Sequence, residues 1–187
     1  MPHVAAYFSP THNEIVFPAA ILQPPFYHKS DETVDFNVDA EKAIAESASI
    51  SLPSNFGGIV AVIAHEITHG YDDKGRKFDG DGCLNDWWSA DDTALFQKKC
   101  EIMERQAAKY TFVDVEDGDK VYRQNPKLTM GENLADLGGL SLSLKALKRR
   151  LKDQSDEVRR AGIRVALKSW AAIWKINIKK ESRIQRL

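Results

Sequence analysis

The sequence has few cysteines and lacks any long apolar run. Cys83 and Cys100 are the only cysteines among 187 residues, which excludes a small scaffold held together by several disulfides. The two could form one bridge, but a pair of cysteines in a chain of this size is more often two small buried side chains. No stretch reaches the roughly 18 uncharged apolar residues of a membrane-spanning helix, and residues 1–4 do not resemble a signal peptide. We therefore predict no membrane segment within this sequence, and the cellular compartment stays open.

The sequence also lacks a strong excess of either charge, since its formal net charge is −1. This balance hides an uneven distribution, because residues 1–140 hold 12 basic and 23 acidic side chains and residues 141–187 hold 14 and 4. A basic tail can bind nucleic acid or a membrane surface. We favour two solvated amphipathic helices instead, and predict no nucleic-acid partner, because apolar residues recur there at helical spacing. These residues are Leu144, Leu147, Leu151, Ile163, Leu167, Trp170 and Trp174.

The pentapeptide HEITH at His65–His69 is the most informative short pattern in the chain. Its histidines are four residues apart, so on a helix both imidazoles lie on one face and can converge on one metal ion, with Glu66 beside them as a base. The apolar run Ile59–Ile63 and a stop at Gly70 predict a helix here, although the β-branched residues of that run also suit a strand. Chance could produce the same pattern in a buried helix, and a zinc site needs a further protein ligand.

A candidate for that ligand lies in the segment Gly131–Gly139. Glu132 and Asp136 are four residues apart, so on a helix their carboxylates face one way. Glu132 could bind zinc while Asp136 hydrogen-bonds the far nitrogen of a ligating histidine. An acidic pair on a helix usually marks a solvated face. Here the neighbouring residues are apolar or glycine and predict burial, and a buried carboxylate requires a cation.

Five stretches occur in an order that resembles the catalytic domain of the neprilysin family of zinc metallopeptidases, which includes the endothelin-converting enzymes and bacterial oligopeptidases. They are Asn13–Phe26, His65–Asp73, Gly75–Asp79, Asp86–Trp88 and Gly131–Gly139. The resemblance as a whole extends from about Ala5 to Trp174. Several long motifs in one order leave no serious role for chance similarity.

The resemblance implies roles for residues of the predicted metal site. His65, His69 and Glu132 would bind one zinc ion per chain, and Glu66 would take a proton from the attacking water. Asp136 would be a catalytic acidic residue beside a ligand histidine. The carboxylate of Asp72 would also lie next to the ligands.

The resemblance also implies where a peptide would bind. Val62, Ile173 and Trp174 match positions that help to form a pocket for a large apolar side chain after the scissile bond. Ala5 and Ala6 align with the start of a strand that pairs with the substrate backbone. An oligopeptide is therefore the expected partner of this site.

We predict a mainly α fold with a small β-sheet (α+β), like that of the thermolysin-type zinc peptidases, the gluzincins, in a single domain over residues 1–187. The expected elements are a hairpin of Ala5–Phe8 with Ile15–Phe17, a helix capped by Ser89 and running through Lys109, a surface insertion at residues 30–53, and a polar loop at residues 114–127.

Three features depart from the family pattern. Ala5-Ala6 stands where family members have asparagine followed by alanine, so a side-chain amide that holds the peptide backbone is replaced. The chain ends at Leu187, before the place of an Asp-x-His element and an arginine. That histidine stabilises the oxyanion, and losing such a donor costs roughly 100- to 1000-fold in turnover. The large N-terminal part of the family also lies outside this sequence, so we expect a C-terminally truncated, partial catalytic domain.

The sequence therefore predicts a zinc-dependent metalloendopeptidase that hydrolyses oligopeptides, with a preference for a large apolar residue after the scissile bond. The alternative is a non-catalytic relic that binds zinc without turning peptides over. A basic-tailed interaction module with a structural metal site is a weaker possibility, because a structural site has no use for the base Glu66.

Overall fold

The computed structural model describes residues 5–29, 51–114 and 118–175, and within these ranges the protein is mainly helical. The strands there form two antiparallel pairs. The helices are α1 (Ser51–Gly57), α2 (Ile59–His69), α3 (Ala90–Ala107), α4 (Met130–Arg150) and α5 (Asp156–Ile173); the strands are β1 (Tyr7–Ser9), β2 (Glu14–Val16), β3 (Thr111–Asp114) and β4 (Lys120–Arg123). The predicted mainly α fold with a small amount of sheet is confirmed.

Helix α2 begins after Gly58 and ends at His69, as the sequence predicted. A side chain at Gly58 would place its Cβ 2.3 Å from the carbonyl oxygen of Phe26, so the chain needs glycine between α1 and α2. Most of α2 is buried, including Ala61 and Val62. Packing therefore overrides the strand preference of its β-branched residues.

Helix α4 packs directly against α2 because two of its residues lack side chains. A Cβ at Gly139 would lie 2.8 Å from both the carbonyl oxygen of Ala61 and the backbone nitrogen of His65. A Cβ at Gly138 would lie 2.5 Å from the hydroxyl oxygen of Thr68. This close approach brings the N-terminal turns of α4, with their two carboxylates, next to the histidines of α2.

Of the two C-terminal helices, α4 buries the face that the sequence predicted, whereas α5 buries a partly different face. Leu147 and Leu151 are buried, which confirms the predicted apolar face of α4. In α5 the predicted face is partly wrong, because Leu167 is 43% exposed and the buried residues are mostly small. They are Ala161, Gly162, Val165, Ala166, Ser169 and Ile173. Small residues allow a close helix contact, since a Cβ at Gly57 of α1 would lie 1.9 Å from the carbonyl oxygen of Ala166.

The first hairpin is present, and the predicted polar loop at residues 114–127 is wrong. Strand β1 pairs antiparallel with β2, one or two residues from the predicted bounds. Strand β4 lies inside the range that we expected to be a loop, and it pairs with β3, which ends at the first residue of that range. The alternating Thr111, Val113 and Val121 carry the strand preference, and the acidic residues between the strands obscured it. Residues 115–117 lie outside the described ranges.

Helix α3 starts where predicted, because the hydroxyl of Ser89 accepts a hydrogen bond from the backbone N–H of Asp92. It ends at Ala107 rather than Lys109. The cysteines are not bridged: Cys100 is buried in α3 and Cys83 is exposed. Cys100 therefore fits the expected small buried side chain, and Cys83 does not.

The predicted surface insertion at residues 30–53 falls largely outside the described residues. Its last three residues belong to α1, and Ser51 and Pro53 are buried there. A surface segment therefore does not extend to residue 53. Within the described ranges, no helix combines the length and the apolar character needed to cross a membrane.

Candidate metal centre

The two histidines of α2 point their outer nitrogens at one spot. Nε2 of His65 lies 3.0 Å from Nε2 of His69. The side chain of His65 is 9% exposed and that of His69 is 16% exposed, so both rings are largely shielded from water. The helical spacing of four residues produces this convergence, as the sequence predicted.

Glu132 of α4 completes a triangle of donor atoms. Its Oε2 lies 3.5 Å from Nε2 of His65 and 3.8 Å from Nε2 of His69. In a tetrahedral zinc site with bonds of about 2.0–2.1 Å, neighbouring donor atoms lie about 3.4 Å apart. The three atoms are therefore spaced to hold one zinc ion, with a fourth position open.

Each histidine also contacts a carboxylate through its inner nitrogen. Nδ1 of His65 lies 2.8 Å from Oδ1 of Asp136, and Nδ1 of His69 lies 2.7 Å from Oδ2 of Asp72. An ionised carboxylate only accepts hydrogen bonds, so Nδ1 carries the hydrogen in each ring, and Nε2 offers a lone pair to a metal when the ring is neutral. Asp72 and Asp136 therefore fix both the tautomer and the orientation of the rings.

The ionisation of these groups follows from their contacts. Burial alone would lower the pKa of His65, but its hydrogen bonds with Asp136 and Glu132 outweigh burial and raise the pKa to about 9. Burial also opposes protonation of His69, but its hydrogen bond with Asp72 and the negative charges of Glu132 and Asp72 together raise its pKa. Burial opposes ionisation of Asp72, yet the His69 contact and two backbone N–H groups lower its pKa. The hydrogen bond with His65 lowers the pKa of Glu132.

The expectation that the two carboxylates of α4 are buried is wrong. The side chain of Glu132 is 70% exposed and that of Asp136 is 44% exposed. Both contact the histidines of α2 and remain open to solvent, while Gly139 of the same helix makes the buried contact with α2. The metal site therefore lies at a surface groove rather than in a closed core.

Glu66 differs from the other carboxylates because it is 5% exposed. Burial raises the pKa of Glu66, although the two histidines oppose this effect. One of its carboxylate oxygens lies within 4.8 Å of donor atoms of both His65 and His69. A carboxylate with a raised pKa beside a candidate metal position is suited to accept and return a proton.

All five residues that the sequence predicted for substrate binding border one cavity of about 390 Å³. This apolar cavity is lined by Ala5, Ala6, Val62, Ile173 and Trp174, together with Ile21, Phe26, His65, Glu66, Glu132 and Lys175. Sequence reasoning missed Ile21, Phe26 and Lys175 as lining residues. The first two lie in the stretch Asn13–Phe26, but only tertiary packing carries them to α2.

A second cavity of about 350 Å³ also borders the candidate metal centre. This polar cavity is lined by Ala6, Tyr7, Phe8, Pro10, His65, Glu66, His69, Asp72, Lys74, Gly75 and Glu132. His65, Glu66 and Glu132 thus border both cavities. Asp136 borders neither, so its contact with the site passes through His65. No sequence pattern had singled out Lys74 as part of the site.

The fold and the site together define a protein of the zinc-metallopeptidase class, with an HExxH helix and a glutamate from a second helix. The chain belongs to peptidase family M13, whose model matches residues 5–44 and 47–187. It is 40% identical over 156 residues to human endothelin-converting enzyme 1, and 38% identical over 178 residues to a neutral endopeptidase of Lactococcus lactis. These matches cover 83% and 95% of the chain.

Solved structures agree with this membership. A zinc metalloprotease of Mycobacterium tuberculosis, crystallised with an inhibitor, superposes with a TM-score of 0.76 at 39% identity over 98% of this chain. The chain spans 25% of that protein, 17% of the human relative and 23% of the Lactococcus relative. The chain therefore corresponds to about a quarter or less of the length of each of these relatives.

Proposed function

We propose that this chain carries the centre of a zinc-dependent metalloendopeptidase of the thermolysin-like, gluzincin type, which hydrolyses peptide bonds in oligopeptides. The observation that carries the proposal is the triangle of Nε2 of His65, Nε2 of His69 and Oε2 of Glu132, with sides of 3.0, 3.5 and 3.8 Å. These three residues are the proposed ligands of one zinc ion. A buried carboxylate beside the triangle, that of Glu66, makes the site suited to hydrolysis rather than to a structural role.

When bound, a zinc ion supplies a Lewis acid that polarises a carbonyl and lowers the pKa of water. Glu66 accepts a proton as the water oxygen bonds to the scissile carbonyl carbon, and donates it to the amine nitrogen as the carbon–nitrogen bond breaks. Asp72 and Asp136 hold the histidine rings through hydrogen bonds of 2.7 and 2.8 Å. The water thus supplies the hydroxyl of the new acid and the hydrogen of the new amine.

The apolar cavity supports a preference for a large apolar residue after the scissile bond. Val62 and Ile173 are buried side chains of one apolar cluster, which also contains Ile21 and Ile59. Removing an apolar side chain from water into such a cavity is favourable by about 25 cal/mol per Å². Glu66 and Glu132 border this cavity, so a side chain bound in it would lie next to the proposed reacting groups.

A second candidate is a protein that binds zinc and peptides without turning peptides over. Ala5 and Ala6 favour it, because both border the apolar cavity and neither offers a side-chain amide to a peptide backbone. Weak retention of substrate would reduce turnover even where the metal site is complete.

Zinc content and peptide turnover separate the two functions. We expect about one zinc per chain by mass spectrometry of the native protein, and cleavage of a quenched peptide with Phe or Leu after the scissile bond. Glu66→Gln should retain zinc and lose roughly 100-fold or more of the cleavage rate. Glu101→Gln is the matched control, because Glu101 is an exposed residue of α3. Full zinc content without Glu66-dependent cleavage would establish the second candidate, and absence of zinc would exclude both.

A further inference from the structure

The two cavities form the ends of one groove that passes over the candidate metal centre. The apolar end lies beside Ala5 and Val62, and the polar end lies beside Pro10 and His69. The segments Ala5–Pro10 and Val62–His69 both pass from residues that line the apolar cavity to residues that line the polar cavity. At about 3.3 Å per extended residue, the stretch from Ala5 to Pro10 spans roughly 16 Å, the length of about five peptide residues. A peptide in this groove would therefore place residues in both cavities.

One basic residue, Lys74, lines the polar cavity, and it is exposed to solvent. Its other charged or ionisable lining residues are the two histidines and the carboxylates Glu66, Asp72 and Glu132. Asp72 and Glu132 contact the histidines within 3.8 Å, whereas Lys74 makes no ion pair with the carboxylates of the described residues. Lys74 thus carries a positive charge that is not paired with a carboxylate in the described part of the chain.

The backbone of Lys74 is held firmly next to a proposed metal ligand. Oδ1 of Asp72 accepts hydrogen bonds from the backbone N–H groups of Lys74 at 2.8 Å and Gly75 at 2.7 Å. The other oxygen of the same carboxylate contacts Nδ1 of His69 at 2.7 Å. A Cβ at Gly75 would lie 1.8 Å from the carbonyl oxygen of His69, so this turn is packed directly against the end of α2. The Lys74 Cα therefore has a defined position relative to the metal site.

We propose that Lys74 selects peptides that carry an aspartate or glutamate side chain at the first or second residue before the scissile bond. The inference rests on the proposed peptidase function, in which the apolar cavity takes the residue after that bond. The polar cavity shares His65, Glu66 and Glu132 with the apolar cavity but extends along the groove to Pro10 and Lys74, so it takes the residues that precede the bond. An ammonium group with no partner on the groove wall then attracts a carboxylate of the peptide.

Pairs of quenched peptides test this proposal on the zinc-loaded full chain. The peptides of a pair differ only by Glu or Gln at one of the three positions before the bond, and mass spectrometry of the products locates the bond. We expect the native protein to favour Glu by about two- to five-fold in kcat/KM at the first or second position. The preference should shrink as salt rises from about 0.05 to 0.5 M, because salt screens exposed charges.

Substitutions of Lys74 test whether its positive charge causes the preference for Glu. Lys74→Gln should bring the Glu/Gln ratio to about one, Lys74→Glu should invert it, and Lys74→Arg should keep it. Lys77→Gln is the matched control, because Lys77 is an exposed lysine of the same turn that does not line the polar cavity. Equal rates for the Glu and Gln peptides would overturn the proposal. Loss of the preference in Lys77→Gln to the same extent would also overturn it, since the effect would then be one of general surface charge.

A binding measurement separates failure of this inference from failure of the peptidase function. Fluorescence anisotropy of labelled Glu and Gln peptides gives their affinities for the zinc-loaded protein without requiring cleavage. A Glu preference in binding that disappears in Lys74→Gln, without any cleavage, would support the role of Lys74 and overturn the peptidase function. Cleavage without a Lys74-dependent preference would overturn the role of Lys74 alone. Neither cleavage nor Lys74-dependent binding would overturn both.

Discussion

Nδ1 of His65 lies 2.8 Å from Oδ1 of Asp136, although the two residues are 71 positions apart in the sequence. This hydrogen bond joins α2 to α4 at the point where the proposed metal ligands of both helices meet. It orients Nε2 of His65 toward Nε2 of His69, 3.0 Å away, and toward Oε2 of Glu132. The arrangement of the ligands thus depends on a residue that borders neither cavity.

Replacing Asp136 should weaken zinc binding without removing a ligand. Asp136→Asn removes the negative charge that stabilises the Nδ1–H of His65, so we expect the zinc Kd to rise by about 10- to 100-fold. Competition with a chromophoric chelator measures this change. Asp153→Asn is the control, because Asp153 is exposed after the end of α4. An unchanged Kd in Asp136→Asn would show that the bond does not support the metal site.

Substitution should distinguish the two glutamates that lie near the histidines. Oε2 of Glu132 lies 3.5 and 3.8 Å from the two Nε2 atoms and the pKa of Glu132 is lowered, whereas the pKa of Glu66 is raised by burial. We therefore expect Glu132→Gln to lose stoichiometric zinc after dialysis and Glu66→Gln to keep it. Zinc analysis of both variants by mass spectrometry checks this. The reverse result would identify Glu66 as the third ligand.

Gly139→Ala should destabilise the fold, although replacing glycine by alanine within a helix usually stabilises it. Alanine has the higher helix propensity, by about 1 kcal/mol. However, the new Cβ would lie 2.8 Å from backbone atoms of Ala61 and His65, so α2 and α4 must separate. We expect the free energy of unfolding to fall by about 1–3 kcal/mol, measured by urea denaturation.

Gly80→Ala is the control for that measurement, because no atom lies within 4 Å of a Cβ built at Gly80. Its unfolding free energy should stay within about 0.5 kcal/mol of the native value. If Gly139→Ala left the protein equally or more stable, the close approach of the two helices would not depend on this glycine.

Ala5→Asn should improve the use of peptide substrates. Ala5 borders the apolar cavity beside the proposed reacting groups and stands where the neprilysin-like pattern has asparagine. A side-chain amide there could form up to two hydrogen bonds with a peptide backbone, each contributing about 0.5–1.5 kcal/mol. We expect kcat/KM to rise by roughly 5- to 100-fold. Ala5→Leu has a similar volume but no polar group, and an equal gain in that variant would show that size rather than hydrogen bonding is responsible.

Local patterns in the sequence were enough to place the elements that carry the site. The four-residue spacing in His65–His69 and the stop at Gly70 predicted α2, and the spacing of Glu132 and Asp136 predicted two carboxylates on one face of α4. The hairpin β3–β4 was missed because its acidic connection resembles a loop. The buried face of α5 was partly missed because the packed residues there are small, so hydrophobicity alone did not reveal them.

The sequence by itself determined the helix spacings, the chemical type of each donor group and the membership in family M13. Only the tertiary structure decided that Glu132 reaches the histidines within 3.8 Å and that Lys74 shares their cavity. The physical reason is that these contacts join separate segments. Their distances depend on how closely α4 packs on α2, and that packing depends on the absence of a side chain at Gly139. Spacing along one helix is set by local geometry, whereas the distance between two helices is set by the volumes of the residues that touch.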